Sequence, residues 1–110
     1  MKTIQLTQTD NGKRVQARVG DVIEIALSEN PTTGYRWAVA ATNAAVLTVK
    51  SSDFSSARDA KIGSGGMRKV IFVAAHAGDS PIELKLWREW LGDASIIERF
   101  EVQVHVDESI

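Results

Sequence analysis

The 110-residue chain contains no cysteine, which excludes disulfide bonds, thiolate metal sites and a cysteine nucleophile. It also lacks long apolar runs, and no stretch approaches the roughly 18 apolar residues that a membrane-spanning helix needs. Neither sign of charge prevails, because 13 Lys and Arg residues are balanced by 14 Asp and Glu residues. Nothing in the composition therefore indicates a partner such as nucleic acid or an acidic membrane.

The length and composition predict one globular domain over residues 1–110. A chain of this size is large enough for one hydrophobic core, and its 44% apolar content is ordinary for a globular protein. The modest aromatic content favours a monomer. Residues 1–8 alternate polar and apolar side chains and lack the continuous apolar core of a secretory signal. We expect a cytoplasmic protein if the chain is complete as written, and a periplasmic or secreted one if a signal peptide was removed.

Apolar residues recur at every second position in several short runs, which is the period of a β-strand. Ile23, Ile25 and Leu27 show the alternation best, and similar runs begin near positions 4, 35, 46, 70, 82 and 100. Glycine-containing turns separate these runs. The pattern predicts an all-β protein, an antiparallel β-sandwich of about seven to eight strands with Greek-key topology. The polar segment 51–61 is expected to be an exposed connection, and helix is limited to a turn near 43–46 or within 52–60.

A distinctive loop sequence lies between two predicted strands, and it reads Asn30-Pro31-Thr32-Thr33-Gly34-Tyr35. Pro31 fixes one φ angle and favours a turn, whereas Gly34 adopts a positive φ without strain. The hydroxyls of Thr32 and Thr33 are suited to hydrogen bonds with the local backbone, which stiffen such a loop. The alternative interpretation is a plain connection between two strands.

Two further segments resemble binding loops. The first is a glycine cluster, Gly63-Ser64-Gly65-Gly66, where the absence of side chains allows close approach of another surface. The second contains Arg88 and Trp90, two residue types that are over-represented among binding hot spots. The alternatives are a mobile hairpin without a role for the glycines, and a core position for Trp90 and the neighbouring Trp87.

The order of the predicted strands places all three loops at one end of the sandwich. The first loop follows the strand at 22–28, the glycine loop precedes the strand at 67–75, and the third loop follows the strand at 82–87. In a Greek-key sandwich, such connections emerge at the same end. A rigid sandwich that carries three adjacent loops is suited to binding.

These three motifs, in this order and spacing, resemble the chagasin-type inhibitors of papain-like cysteine proteases. The resemblance covers nearly the whole chain. It implies an immunoglobulin-like domain without a cofactor, whose loops form a wedge that enters the protease active-site cleft. Residues 30–35 would block the catalytic cysteine, with Thr32 nearest the nucleophile and Thr33 supporting the loop. Residues 63–66 would follow the substrate groove, and Arg88 with Trp90 would lie on the leaving-group side.

The chain departs from the family pattern at two positions. Glu89 stands where the family usually has a proline between the arginine and the aromatic residue. Because Glu89 does not fix φ, the third loop is expected to be less preorganised and to bind more weakly. Val70 stands where the family often has an aromatic residue, a change that a core can absorb.

Two other classes of function compete with inhibition. Catalysis is disfavoured because His76 and His105, the only histidines, have no motif that places them beside a nucleophile or metal ligand. His105 alternates with valines and is expected to face solvent. The second alternative is an immunoglobulin-like binding or adhesion module whose loops hold another protein or a sugar. An inhibition assay separates these possibilities.

Overall fold

The computed structural model describes residues 2–56 and 65–108. Within these ranges the chain forms eight strands, β1 (Thr3–Thr7), β2 (Arg14–Arg18), β3 (Val22–Glu29), β4 (Arg36–Thr42), β5 (Leu47–Ser56), β6 (Gly66–Ala74), β7 (Gly78–Trp87) and β8 (Glu98–Asp107). Three short 3₁₀ helices span Gln8–Asp10, Pro31–Thr33 and Glu89–Ser95. No helix in these two ranges is long and apolar enough to cross a membrane.

The strands form two four-stranded sheets, which confirms the predicted all-β sandwich. One sheet has the order β1-β3-β6-β5 and the other β2-β8-β7-β4. The pairs β3–β6, β5–β6, β7–β8 and β4–β7 are antiparallel, as expected. The first two strands of the chain instead pair in parallel, β1 with β3 and β2 with β8. Alternation of side chains shows which residues form strands, but it does not show the direction of pairing.

The core lies between the sheets and is built from alternate residues of each strand. Ile23, Ile25 and Leu27 are fully buried, as their spacing predicted, because successive side chains of a strand point to opposite faces. Phe72 and Trp37 fill the space between the sheets. The outward positions of the same strands are polar or partly exposed, so the burial pattern fixes the register of each sheet.

The polar segment that begins at position 51 belongs to a strand, so the prediction of an exposed connection is wrong through Ser56. β5 continues to Ser56 and pairs with β6 along its length. β5 is an edge strand, and a bulge between Val49 and Ser51 shifts its register, so polar residues there remain exposed. The possible helical turn within 52–60 is likewise absent through position 56, and residues 57–61 lie outside the described residues. The turn near 43–46 is present, since Asn43 O accepts from the N–H of Val46.

His105 lies on the exposed face of β8, as expected, at the end of the sandwich away from the first loop. Its Nδ1 is 2.6 Å from Asp79 Oδ1, and its Nε2 is 2.9 Å from Asp107 Oδ1. The hydrogen bond to Asp79, followed by that to Asp107, raises the pKa of His105 above its ordinary value of 6.5. The two carboxylates favour the imidazolium, in which both ring nitrogens donate.

We expect the contribution of His105 to stability to depend on pH. Because the folded-state pKa lies above the unfolded value, the contribution is fully present below about pH 6.5 and is lost as pH rises through the folded pKa. His105→Asn should therefore lower the melting temperature at about pH 5.5 and have little effect at about pH 9. Thermal melts across this range measure the difference. His76→Asn, at an exposed bend, serves as control, and an effect of His105→Asn that is independent of pH would contradict the assignment.

Candidate functional site

The first loop, residues 30–35, is held by hydrogen bonds within itself. Asn30 Oδ1 accepts from the backbone N–H of Thr32 at 3.1 Å and from its hydroxyl at 2.7 Å. Thr33 Oγ1 donates to Asn30 O at 2.8 Å and accepts from the N–H of Tyr35 at 3.4 Å. Pro31 begins the 3₁₀ turn, where its fixed φ is favourable. The predicted bonding to the local backbone is therefore confirmed for the Thr33 hydroxyl, whereas the Thr32 hydroxyl binds the Asn30 side chain instead. Thr32 is exposed near the tip of the loop.

Gly34 ends this turn with the positive φ that the sequence predicted, 79°. The position excludes side chains for a second reason, because a Cβ built there would lie 2.7 Å from Cη2 of Trp90. The indole of Trp90 thus packs against the backbone of the first loop. Glycine at position 34 permits both the turn and the contact between the first and third loops.

Arg88 ties the third loop to the first. Its Nε and Nη2 both donate to the carbonyl oxygen of Thr33, at 3.1 and 3.0 Å. Its guanidinium carbon lies 4.4 Å from the centroid of the Tyr35 ring, a cation–π geometry. The sequence suggested that Arg88 would stack on Trp90 or bond to a partner. In the structure Arg88 instead stacks on Tyr35 and binds the first loop.

Trp87 and Trp90 lie outside the core, so the alternative that placed both of them inside is wrong. The side chain of Trp90 is 69% exposed, and the adjacent Leu91 is also exposed. Trp87 is half-buried on the outer face of its sheet, where Lys85 Nζ lies 3.5 Å from the ring centroid. The buried tryptophan is Trp37. Trp90 therefore presents a wide apolar surface beside the first loop.

The described part of the glycine cluster adjoins the stem of the first loop. Gly66 pairs with Glu29 at the end of the β3–β6 ladder. A Cβ built at Gly65 would lie 2.7 Å from Glu29 O and 3.4 Å from Cα of Asn30, so the two backbones are in close contact. The candidate residues Gly63 and Ser64 lie outside the described residues. The structure thus brings together the ten other sequence-predicted residues, Asn30, Pro31, Thr32, Thr33, Gly34, Tyr35, Gly65, Gly66, Arg88 and Trp90.

A buried ion pair supports this end of the sandwich, and the sequence analysis did not identify it. Glu29 is only 4% exposed, and its Oε2 accepts from Arg68 Nη2 at 2.8 Å while Oε1 accepts from Arg68 Nε at 3.3 Å. The signal was present in the strand phase. Glu29 continues the inward series of β3, and Arg68 shares the inward phase of Val70 in β6. Two opposite charges at inward positions of paired strands indicate a buried pair.

Trp37 joins this pair to the strand that leaves the first loop. Its backbone N–H donates to Glu29 Oε1 at 2.6 Å, and its indole N–H donates to Ser28 O at 2.9 Å. The last residues of β3 are therefore hydrogen bonded to the start of β4. As a consequence, the two ends of the first loop are held at a fixed separation by buried groups.

The chemistry available at this end of the molecule is that of a binding surface. Within residues 2–56 and 65–108, no group of three His, Cys, Asp or Glu side chains is placed to hold a metal ion. The exposed groups include the hydroxyls of Thr32 and Thr33, which are held by hydrogen bonds within the first loop, and the apolar side chains of Trp90 and Leu91. Such a surface is suited to contact with a partner through shape and hydrogen bonds.

Comparison with known proteins identifies related sequences. Residues 16–104 match the family described as "Chagasin family peptidase inhibitor I42". Chagasin from Trypanosoma cruzi is 32% identical over 104 residues, which cover 89% of this chain and 93% of the relative.

Solved structures share the fold. The cysteine protease inhibitor EhICP2 from Entamoeba histolytica superposes with a TM-score of 0.84 at 19% identity, covering 96% of each chain. PbICP-C, determined in complex with falcipain-2, gives a TM-score of 0.65 at 18% identity, covering 97% of this chain and 100% of that one. These similarities confirm the predicted immunoglobulin-like sandwich.

We expect Glu29→Gln to destabilise the fold strongly. The substitution leaves the charge of Arg68 buried without a counter-charge, which typically costs about 3 kcal/mol or more. Glu24→Gln is the matched control, because Glu24 pairs with Lys69 at 2.8 Å on a more exposed surface. Loss of that pair should cost less than about 1 kcal/mol. Urea denaturation measures both values, and equal free energies of unfolding for the two variants would show that burial of the Glu29 pair is unimportant.

Proposed function

The chain belongs to the chagasin family of peptidase inhibitors, and we propose that it is a reversible, tight-binding competitive inhibitor of papain-like cysteine proteases. It acts as a monomer, and its loops at 30–35, 63–66 and 88–90 occupy the active-site cleft of the protease. The observation that carries the proposal is the bond of Arg88 to the Thr33 carbonyl, with Trp90 packed on Gly34. These contacts hold the first and third loops together as one projecting surface.

The family consists of inhibitors rather than enzymes, in agreement with the sequence analysis, so no catalytic residue is assigned. The complex of PbICP-C with falcipain-2 supports the choice of partner. No observation favours the alternative of an adhesion module for another ligand.

Inhibition of this kind requires no reaction from the inhibitor. The exposed tip at Thr32 lies nearest the catalytic cysteine and excludes substrate, while Trp90 covers the leaving-group side of the cleft. Because hydrogen bonds already fix the loop at 30–35, little conformational entropy is lost on docking. A standard interface of roughly 1,600 Å² in total is sufficient for tight binding under these conditions.

The same contacts explain how the first loop resists cleavage. Pro31–Thr33 form a 3₁₀ turn, so the backbone is not extended, and the Thr33 carbonyl accepts two hydrogen bonds from Arg88. Cleavage next to Thr33 would require this carbonyl to leave Arg88 and enter the oxyanion site of the protease. The loop therefore fills the cleft without presenting a reactive peptide bond.

The proposal is tested by the residual activity of papain, or of a cathepsin-type enzyme, against increasing amounts of the protein. We expect inhibition below about 1 μM, with an increase in apparent KM and an unchanged kcat, as competition requires. Full protease activity at micromolar concentration would exclude the proposed function.

We expect Thr32→Arg to weaken inhibition by at least about 100-fold, because a long charged side chain at the tip of the loop prevents it from entering the cleft. Thr48→Arg is the matched control, since Thr48 is also exposed but pairs with Val73 near the opposite end of the sandwich. Inhibition constants and thermal melts of both variants are compared with the original chain. If both variants inhibit as well as the original chain, the first loop is not the binding site.

A further inference from the structure

The third loop closes on itself through the side chain of Ser95. Residues Glu89–Ser95 form two 3₁₀ turns separated at Gly92, which has a positive φ of 71°. The turns reverse the chain, so that Ser95 returns to the side of Arg88. Ser95 Oγ accepts from the backbone N–H of Arg88 at 2.9 Å and lies 3.0 Å from Arg88 O and 2.6 Å from Gly92 O. One of these two carbonyls accepts the hydroxyl proton.

The hydroxyl of Ser95 is thus connected to the first loop through Arg88. The backbone of Arg88 is bound to Ser95, whereas its guanidinium is bound to the carbonyl of Thr33. Displacement of the Arg88 backbone would move the guanidinium away from Thr33. Ser95 is half-buried, and its hydrogen bonds act on the backbone of Arg88 and Gly92.

We infer that Ser95 is the positioning residue that preorganises the third loop of this inhibitor, a role that a proline at position 89 would otherwise fill. The inference rests on the proposed function and deepens it. Without a ring at position 89, the backbone between Arg88 and Ser95 has more conformations available in the free protein, and ordering them on docking reduces affinity. The hydrogen bonds of Ser95 remove this freedom before the protease binds.

The backbone at position 89 is already compatible with proline. Arg88 has φ −99° and ψ 109°, an extended conformation that a following proline permits. Glu89 is the first residue of the 3₁₀ helix, where proline is favoured because its missing N–H has no helical acceptor. Glu89→Pro therefore restricts the same segment of backbone by a covalent ring instead of by a hydroxyl.

Two measurements on a set of variants test the inference. We expect Ser95→Ala to raise the inhibition constant against papain about tenfold and to speed hydrogen exchange of the Arg88 amide, which loses its acceptor. Ser95→Thr retains the hydroxyl and should inhibit like the original chain. The double variant Glu89→Pro with Ser95→Ala should recover most of the lost inhibition, because the ring restores the restricted backbone.

Ser80→Ala is the matched control. Ser80 Oγ accepts from the N–H of Asn43 at 2.8 Å and donates to Pro81 O at 2.8 Å, near the start of β7 and away from the loops. Its removal should reduce the melting temperature and leave the inhibition constant unchanged. Ser80→Ala shows what the loss of a serine hydroxyl does to stability alone, so any further effect of Ser95→Ala on inhibition is due to the third loop.

Each outcome decides the inference. Undiminished inhibition by Ser95→Ala, or failure of proline at position 89 to restore it, overturns the inference. If Ser95→Ala does not fold, hydrogen exchange of the Arg88 amide in the original chain decides: slow exchange supports the bond to Ser95, and exchange as fast as that of an unprotected amide overturns the inference. If the original chain does not inhibit papain, the proposed function fails, whereas exchange of the Arg88 amide still reports whether Ser95 orders the loop.

Discussion

A carboxylate buried at the end of β3 is the constraint on which the projecting loops depend. Glu29 binds the guanidinium of Arg68 from the neighbouring strand and the backbone of Trp37 from the opposite sheet. A buried ion pair of this kind contributes little net stability compared with apolar packing, but removal of either partner is costly. The ion pair instead determines geometry, because it fixes the end of β3 and the start of β4 relative to each other.

A series of hydrogen bonds connects this buried pair to the exposed loops. The β3–β6 ladder positions Glu29 and Arg68, and this pair positions the ends of the first loop. Within the loop, the Asn30 side chain stabilises the turn. Arg88 then joins the third loop to the Thr33 carbonyl. Each exposed residue of the site is therefore supported by a less exposed one. This arrangement fixes the first and third loops relative to each other.

The sequence predicted those features that depend on local patterns. Alternation identified the inward residues of β3, and the residues at 30–35 indicated a turn with a positive φ at Gly34. Features that depend on distant neighbours were missed. Because β5 lies at the edge of its sheet, its second half is polar and resembles a loop in the sequence. The contact of Arg88 with Tyr35 was missed because the two residues are 53 positions apart in the chain. The Glu29–Arg68 pair was recognisable from phase, but only after strands β3 and β6 were known to be neighbours.

The irregular edge of the first sheet has a consequence for how the molecule behaves at high concentration. Among the strands of the described ranges β5 has one neighbour, β6, so within residues 2–56 and 65–108 no strand pairs with the other side of its backbone. The bulge between Val49 and Ser51 interrupts the regular spacing of backbone groups along β5, and the charged residue Lys50 lies at the bulge. Such a bulge disrupts the ladder that an added strand would need to form here. The bulge and this charge thus disfavour pairing of β5 with an added strand at this point.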